Sequence, residues 1–382
     1  MNLKRVMREK NVDAVLISNM LNVRYFTGFT GTTGMALVIG EKKIFITDFR
    51  YVSQGKEEVE KNGYELICEN ISTLKRVGEI LAEFGVQKLG IENQSVTLDQ
   101  FRLFEGNFPK LEYVYLDDSF TKIREIKSGE EIEAIKKSIA IAEKALELTI
   151  PKIKIGVKES DIAAELEYQM KKLGASKPSF DLIVASNERS ALPHGVAGDK
   201  KIEEGFLTID YGCFYKGYAS DITRTFYVGD NPSNKHLEIY EIVKQANERA
   251  IKEVKAGISV HELDAIAREF IREKGYGEYF GHGLGHGIGL QIHEYPGVSY
   301  KAENKTLKEG MIITIEPGIY IPNFGGVRIE DDILVKKNSC EVLTSLDKSL
   351  KKIKWYIKNK KMFTKSTNCR IIYIFFIKNI YY

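Results

Sequence analysis

Along residues 1 to about 122, short runs rich in β-branched residues (VDAVLIS, MALVIG, KIFITD, YELICEN and LEYVYL) alternate with polar stretches of helical texture such as Leu74 to Phe84. Short apolar runs bounded by turn residues predict strands, and their alternation with helices predicts an α/β unit. The texture changes at Ser128. Ser128 and Glu131 form a capping box ahead of Ile132, Ile135, Ile139 and Leu146 at helical spacing. This predicts a long helix that opens a second domain.

The second domain repeats itself. KIGVKESDIAAELEYQMKKLG places Gly156 and Gly174 around one helix, and KAGISVHELDAIAREFIREKG places Gly257 and Gly275 around another, both offset by 101. Farther on, EGFLTIDYG and EGMIITIEPG superpose Thr208 on Thr314, Asp210 on Glu316 and Gly212 on Gly318, offset by 106. A matched acid at the end of each apolar run, followed by a turn and a second strand carrying Asp221 or Glu330, predicts two hairpins with two carboxylates each. Single acids at such places often mark solvent-facing positions, but these follow runs that lead into an interior, where a charge needs a partner.

If the halves pack as a pseudo-symmetric pair, four carboxylates meet. Like charges in a low-dielectric cleft stay ionised only when cations compensate them, and two divalent ions match four carboxylates. Oxygen-rich ligands with limited imidazole suit Mn²⁺, Co²⁺ or Zn²⁺, and the residue types do not choose among them; manganese is taken as the first expectation. The nitrogen donor is sought in GHGLGHGIGLQIHEYPG, where His282, His286 and His293 account for three of the six histidines. Its glycines are read as letting a ligand approach the backbone, and the absence of a G-x-x-x-x-G-K frame argues against a phosphate loop. His236 and His261, in amphipathic helices, are read as packing or surface residues.

Composition narrows the classes further. Residues 351–382 carry eight Lys, one Arg and no acid, so the overall +3 leaves the first 350 residues at −6. A mildly acidic body does not match a phosphate backbone, which argues against nucleic acid as a partner. The four cysteines (Cys68, Cys213, Cys340 and Cys369) form no C-x-x-C pair and read as reduced thiols. No signal-peptide stretch and no membrane span are recognised, and IIYIFFI at 371–377 is far too short to cross a bilayer. A cytoplasmic setting is expected.

HGLGHGIGLQIHE resembles the signature of the proline peptidases, in the metallopeptidase family that also contains methionine aminopeptidases. The resemblance extends to LPHG at His194, IDYGCFYKGYASDITRT around Asp210 and Asp221, IEPGIY at Glu316 and GGVRIEDD at Glu330. Upstream, NVRYFTGFTGTTG and TDFRY look like the amino-terminal domain that accompanies Xaa-Pro peptidases. The resemblance implies an α+β architecture: a pita-bread catalytic domain, internally duplicated with helices around a curved antiparallel sheet, at 123–350. A smaller creatinase/prolidase-like α/β domain at 1–122 precedes it, and an atypical basic tail without a catalytic role follows at 351–382.

It also implies roles. Asp221 and Glu330 bridge two metals, Asp210 completes one site, and His286 with Glu316 completes the other. A water between the metals attacks the bond before proline, Glu316 shuttles a proton, His293 and His194 stabilise the oxyanion or position the carbonyl, and His282 faces the proline side. Arg328, two residues before Glu330, is expected to orient carboxylates. The expected substrates are short peptides with proline second, cleaved by an aminopeptidase or a dipeptidase acting as a homodimer or larger homo-oligomer. Methionine aminopeptidase is the alternative within the enzymes, opposed by His282 four residues before His286 and by the amino-terminal domain; a peptide-binding module on the same fold is the non-enzymatic one.

Overall fold

The computed structural model describes residues 3–354. All five apolar runs of the amino-terminal region form strands: Ala14–Ile17, Met35–Ile39, Lys42–Thr47, Glu65–Cys68 and Glu112–Tyr115. A sixth strand, Lys88–Ile91, is one the alternation does not mark. It contains Gly90, where an added Cβ would lie 2.9 Å from the Leu116 side chain, so the close approach that builds the strand also weakens its sequence signal. The sheet order is Glu65–Cys68, Lys42–Thr47, Met35–Ile39, Ala14–Ile17, Lys88–Ile91, Glu112–Tyr115, with antiparallel pairing in the centre and parallel pairing towards both edges.

Both faces of this sheet are covered, which is why its strands read as continuous apolar runs. Ala14 and Leu16 pack with Leu37, Ile44 and Ile46 under the helices Thr73–Glu83 and Leu98–Asn107. Val15 and Ile17 point the other way, as successive strand residues must, and join Ala36, Val38 and Phe45 under Leu3–Lys10 and Met20–Thr27.

The helix expected at Ser128 runs Gly129–Thr149, and the reciprocal capping box is present: Ser128 Oγ accepts from Glu131 N at 3.3 Å and Ser128 N donates to Glu131 Oε2 at 2.8 Å. It pairs with Glu159–Lys172; the second half repeats the pair as Asn234–Glu253 and Val260–Glu273. The four repeat glycines, Gly156, Gly174, Gly257 and Gly275, all adopt left-handed φ between +84° and +107°, a region that a side chain disfavours. The repeat extends to hydrogen bonds: Gly156 N donates to Ile202 O and Gly257 N to Leu307 O, both at 2.8 Å.

Between the helix pairs lie two mostly antiparallel sheets. One holds Ile183–Ser186, Gly205–Tyr211 and Ile222–Val228; the other holds Glu294–Val298, Gly285–Gly287, Ile312–Ile315, Asp331–Val335 and Cys340–Val342. Leu207, Ile209 and Tyr211 pack beneath the first helix pair, and Ile313, Ile315, Ile333 and Val335 beneath the second. The second hairpin is interrupted by a smaller one, Gly318–Ile321 with Gly325–Arg328, inserted between its strands. His236 packs its ring among Phe206, Tyr227 and Phe324, and His261 bonds the Ala302 carbonyl at 2.7 Å, so both have packing roles. Cys68, Cys213 and Cys340 are free thiols. Among the described residues no helix is long and apolar enough to cross a membrane.

The sheet of Gly205–Tyr211 and Ile222–Val228 extends past Leu350. Lys352–Ile353 pairs in parallel with Tyr227 and Val228, with Tyr227 N donating to Lys351 O and Gly229 N to Ile353 O, each at 3.1 Å. The first residues of the basic segment therefore complete a sheet edge, while Trp355, Cys369 and the rest of it lie outside the described residues. A chain ending at Leu350 is expected to lose about 1–3 kcal/mol, the worth of two backbone hydrogen bonds, and to melt a few degrees lower while keeping its activity. A chain ending at Lys354 should match the full protein; thermal denaturation of both checks this.

Candidate metal centre

The two strand pairs deliver their acids to one place. Asp210 lies in the strand Gly205–Tyr211, with Thr223 directly opposite, and Asp221 immediately precedes the partner strand Ile222–Val228. Glu316 follows Ile312–Ile315, and Glu330 immediately precedes Asp331–Val335. All four line a cavity of about 550 Å³ whose wall also carries His194, His282, His286, His293 and Arg328. Every residue singled out from the sequence for the site is thus on this one wall.

Burial makes the cluster electrostatically expensive. Asp210, Asp221 and Glu330 are 8%, 5% and 1% exposed. Burial, and then repulsion from Asp210 and Glu316, pushes the Asp221 carboxyl well above the usual carboxylate range. Glu330 is raised by burial and then by Asp221, and Glu316 by burial against the pull of His286. Behind them Asp332, which accepts a hydrogen bond from Asp221 N at 3.2 Å, is pushed up to about 8 by burial. Protons or cations must neutralise these groups.

The donor set fits a divalent cation. One oxygen each from Asp221 and Glu330 and one nitrogen of His286 all lie within 4.8 Å of one another. His286 Nδ1 is 3.0 Å from Gly287 O, which assigns its proton to that side and leaves Nε2 as a lone pair. That Nε2 is 3.5 Å from both Asp221 Oδ2 and Glu316 Oε1, too long for strong hydrogen bonds. Asp210 Oδ1 is buried with no hydrogen-bond donor, an acceptor that a cation would satisfy.

A ring of partners fixes the ligands. Arg328 donates from Nη2 to Asp210 Oδ2 at 2.6 Å, from Nε to Thr223 Oγ1 at 3.1 Å and from Nη1 to Tyr320 Oη at 2.8 Å. Its carboxylate partner is Asp210 rather than Glu330, which lies beyond the end of its strand at Arg328. Thr223 Oγ1 in turn donates to Glu330 Oε2 at 2.7 Å, and Thr314 Oγ1 to Glu316 Oε1 at 3.3 Å. Tyr320, kept protonated by burial that raises it to about 12, lies 2.8 Å from His282 Nε2. With Nδ1 of His282 2.7 Å from Gly283 O, and burial then Arg328 lowering it to about 4, that imidazole is neutral. His293 is also lowered, by burial and then by His286, whose ring centroid is 4.4 Å away. His194 and His293 are the more exposed histidines of the wall.

Thr223, Thr314, Tyr320 and Asp332 are the site residues that the sequence reading misses. Thr223 and Asp332 each stand two positions after an acid of the cluster, on the same strand face, and that period was the available signal. Glycines of the histidine run have a further use beside the one expected. Gly283 and Gly285 lie on the cavity wall, while a Cβ on Gly285 would meet Thr314 O at 2.0 Å and one on Gly287 would meet Tyr295 O at 2.2 Å, so these two also admit neighbouring strands.

Two family patterns match the chain: Metallopeptidase family M24 over residues 133–337 and the Creatinase/Prolidase N-terminal domain over residues 1–126. The chain is 44% identical over 351 residues to an Xaa-Pro dipeptidase of Pyrococcus furiosus, covering 91% of this chain and 98% of the relative. Among solved structures, an Xaa-Pro dipeptidase from Bacillus anthracis superposes with a TM-score of 0.88 at 45% identity, covering 91% of this chain and 98% of that one. An X-Pro aminopeptidase from Thermotoga maritima superposes at 0.86 with 41% identity, covering 91% and 99%. Fold, duplicated carboxylate hairpins and these likenesses agree that the chain belongs to metallopeptidase family M24, an enzyme with a pita-bread catalytic domain behind a creatinase/prolidase amino-terminal domain.

Proposed function

We propose that this enzyme hydrolyses the bond between an N-terminal residue and a following proline, in short peptides, as an Xaa-Pro aminopeptidase or dipeptidase. The observation that carries the reading is the convergence of Asp210, Asp221, His286, Glu316 and Glu330 on a cavity walled by three further histidines. The names of relatives alike over nine-tenths of the chain support the same substrate class. An imide before proline has no N–H and a fixed φ, so its cleavage calls for a shaped site.

Asp210, Asp221, His286, Glu316 and Glu330 would hold two divalent ions, with manganese as the first choice and cobalt or zinc as substitutes. The chemistry that such ions supply is Lewis acidity towards a carbonyl and acidification of water. Glu316 would take a proton from the attacking water at its carboxylate and pass it to the leaving nitrogen. His293, whose proton affinity is lowered by partial desolvation and then by His286, donates an N–H to the developing oxyanion with His194 beside it. His282, held between Tyr320 and Gly283 and edge-on to Phe280, presents a fixed, uncharged surface to the proline ring. A homodimer or larger assembly in the cytoplasm completes the proposal.

The test is mass spectrometry of a mixture of Ala-Pro, Ala-Pro-Ala and Met-Ala-Ser after stripping and reloading with Mn²⁺. Cleavage before proline is expected: Ala-Pro-Ala marks an aminopeptidase, and Ala-Pro alone a dipeptidase. Cleavage of Met-Ala-Ser alone, or of nothing, defeats the proposal. Glu330→Ala should lose metal and activity together, whereas His293→Ala should keep its metal and lose kcat by about 10²–10³-fold, the usual cost of an oxyanion donor. Metal analysis beside kinetics separates the two, and loss of metal from His293→Ala would show its role to be misassigned.

A further inference from the structure

The segment joining the two domains ends in two buried cations. Lys127 and Arg124 have side chains 1% and 7% exposed, and both reach Glu294, 3% exposed, the residue after His293. Lys127 Nζ lies 3.1 Å from Glu294 Oε2, and Arg124 Nε lies 3.4 Å from Oε1, close enough for an ion pair though without hydrogen-bond geometry. Two cations on one buried carboxylate are a costly arrangement unless something uses the geometry they fix.

What they fix is the turn that carries His293. Glu294 Oε1 accepts from Gln291 N at 3.2 Å, and Arg124 Nη2 donates to Gln291 Oε1 at 3.3 Å. The Glu294 carboxylate also fills the space where a side chain on Gly289 would begin, 2.5 Å from the built Cβ. Gly289 O in turn accepts from Ala219 N at 2.8 Å, two residues before Asp221. On its other side Arg124 Nη1 donates to Asn22 Oδ1, Asn22 Nδ2 donates to Glu92 Oε1 at 2.6 Å, and Glu92 Oε2 accepts from Ser18 N and Asn19 N at 2.6 and 2.9 Å. The connections run without a break from the amino-terminal sheet to the wall of the catalytic cavity.

We infer that Glu294, clamped by Lys127 and Arg124, is a positioning residue that sets the His293 ring, and that the amino-terminal domain of the same subunit thereby supports the reaction. The inference rests on the role of His293 in the proposed hydrolysis, but the clamp itself has a separate readout. Lys127 is not part of the cavity wall and its side chain pairs with Glu294, while Asn22 lies on the other domain and bonds Arg124 and Glu92, so the bonds that link them to the site pass through Glu294 and Arg124.

The experiment compares wild type, Lys127→Met, Lys127→Arg and Asn22→Ala as Mn²⁺-loaded full chains. It records metal content, kcat and KM on the best-cleaved Xaa-Pro peptide, and amide hydrogen exchange over residues 288–298. Lys127→Met is expected to keep metal, to lower kcat by about 10- to 100-fold, the scale of a small misplacement, with KM little changed, and to speed exchange in the 289–294 turn. Lys127→Arg should restore most of kcat, and Asn22→Ala should give a weaker loss of the same kind. Unchanged kcat and exchange in folded, loaded Lys127→Met, or a kcat that falls only in proportion to lost metal, would overturn the inference. If the wild type cleaves no Xaa-Pro peptide, the proposed function falls, and the exchange result alone decides for or against the clamp.

Discussion

Mutual repulsion among Asp210, Asp221, Glu316 and Glu330 is the constraint on which the remaining structure depends. Four carboxylates brought into a largely buried cavity oppose folding unless each is held and their charge is answered. Chain duplication solves the placement: two related strand pairs, each backed by a helix pair, deliver two acids apiece from opposite sides. Arg328, Thr223 and Thr314 supply donors to three of them, and the spacing left to His286 Nε2 suits a cation better than a proton.

Behind three of the four histidines of the wall, His194, His282 and His293, stands a buried acid paired with a cation. Glu159, with Arg189, holds the loop after His194 through Ser186 N and Gly198 N, and Arg189 also donates to Val196 O. Asp264, with Arg268, holds the His282 turn: Arg268 donates to His282 O at 2.6 Å and Asp264 accepts from Leu284 N at 3.1 Å. Glu294 does the same beside His293. Charge-assisted hydrogen bonds are strong and directional, so a catalytic loop fixed this way needs little help from packing. A site made of loops over sheets gains its rigidity from these pairs.

The features written locally were legible in the sequence. The Ser128 capping box, the apolar runs of the first domain, the glycines of the repeat and the acids ending LTI and ITI each depend on a few neighbouring residues. The four acids followed once the repeat was recognised, because superposing the halves brings Asp210 onto Glu316, whereas His194 and the roles of the histidines came only from the family resemblance. Contacts set by tertiary approach were not legible. Gly285 makes room for the backbone of Thr314, Arg328 chooses Asp210 across two sheets, and no residue near Glu294 in the sequence marks Lys127 as its partner. Lys352–Ile353 was hidden for a different reason: a basic composition gave no sign that two of its residues close a sheet edge.

Because Asp221, Glu330 and Asp332 hold protons more tightly in the folded protein than in the unfolded chain, stability without metal falls as pH rises above the ordinary carboxylate range. His282 and His293 act in the opposite sense, but only below about pH 6.5, where an unfolded histidine begins to charge. The most direct test is therefore the melting temperature of stripped and Mn²⁺-loaded protein between about pH 7 and pH 8.5, a window above the range in which His282 and His293 contribute. The account predicts that the stripped protein melts progressively lower across that window and that Mn²⁺ raises its melting temperature by an increasing margin. A stripped protein whose melting temperature is flat or rises, with no gain from the metal, would contradict it.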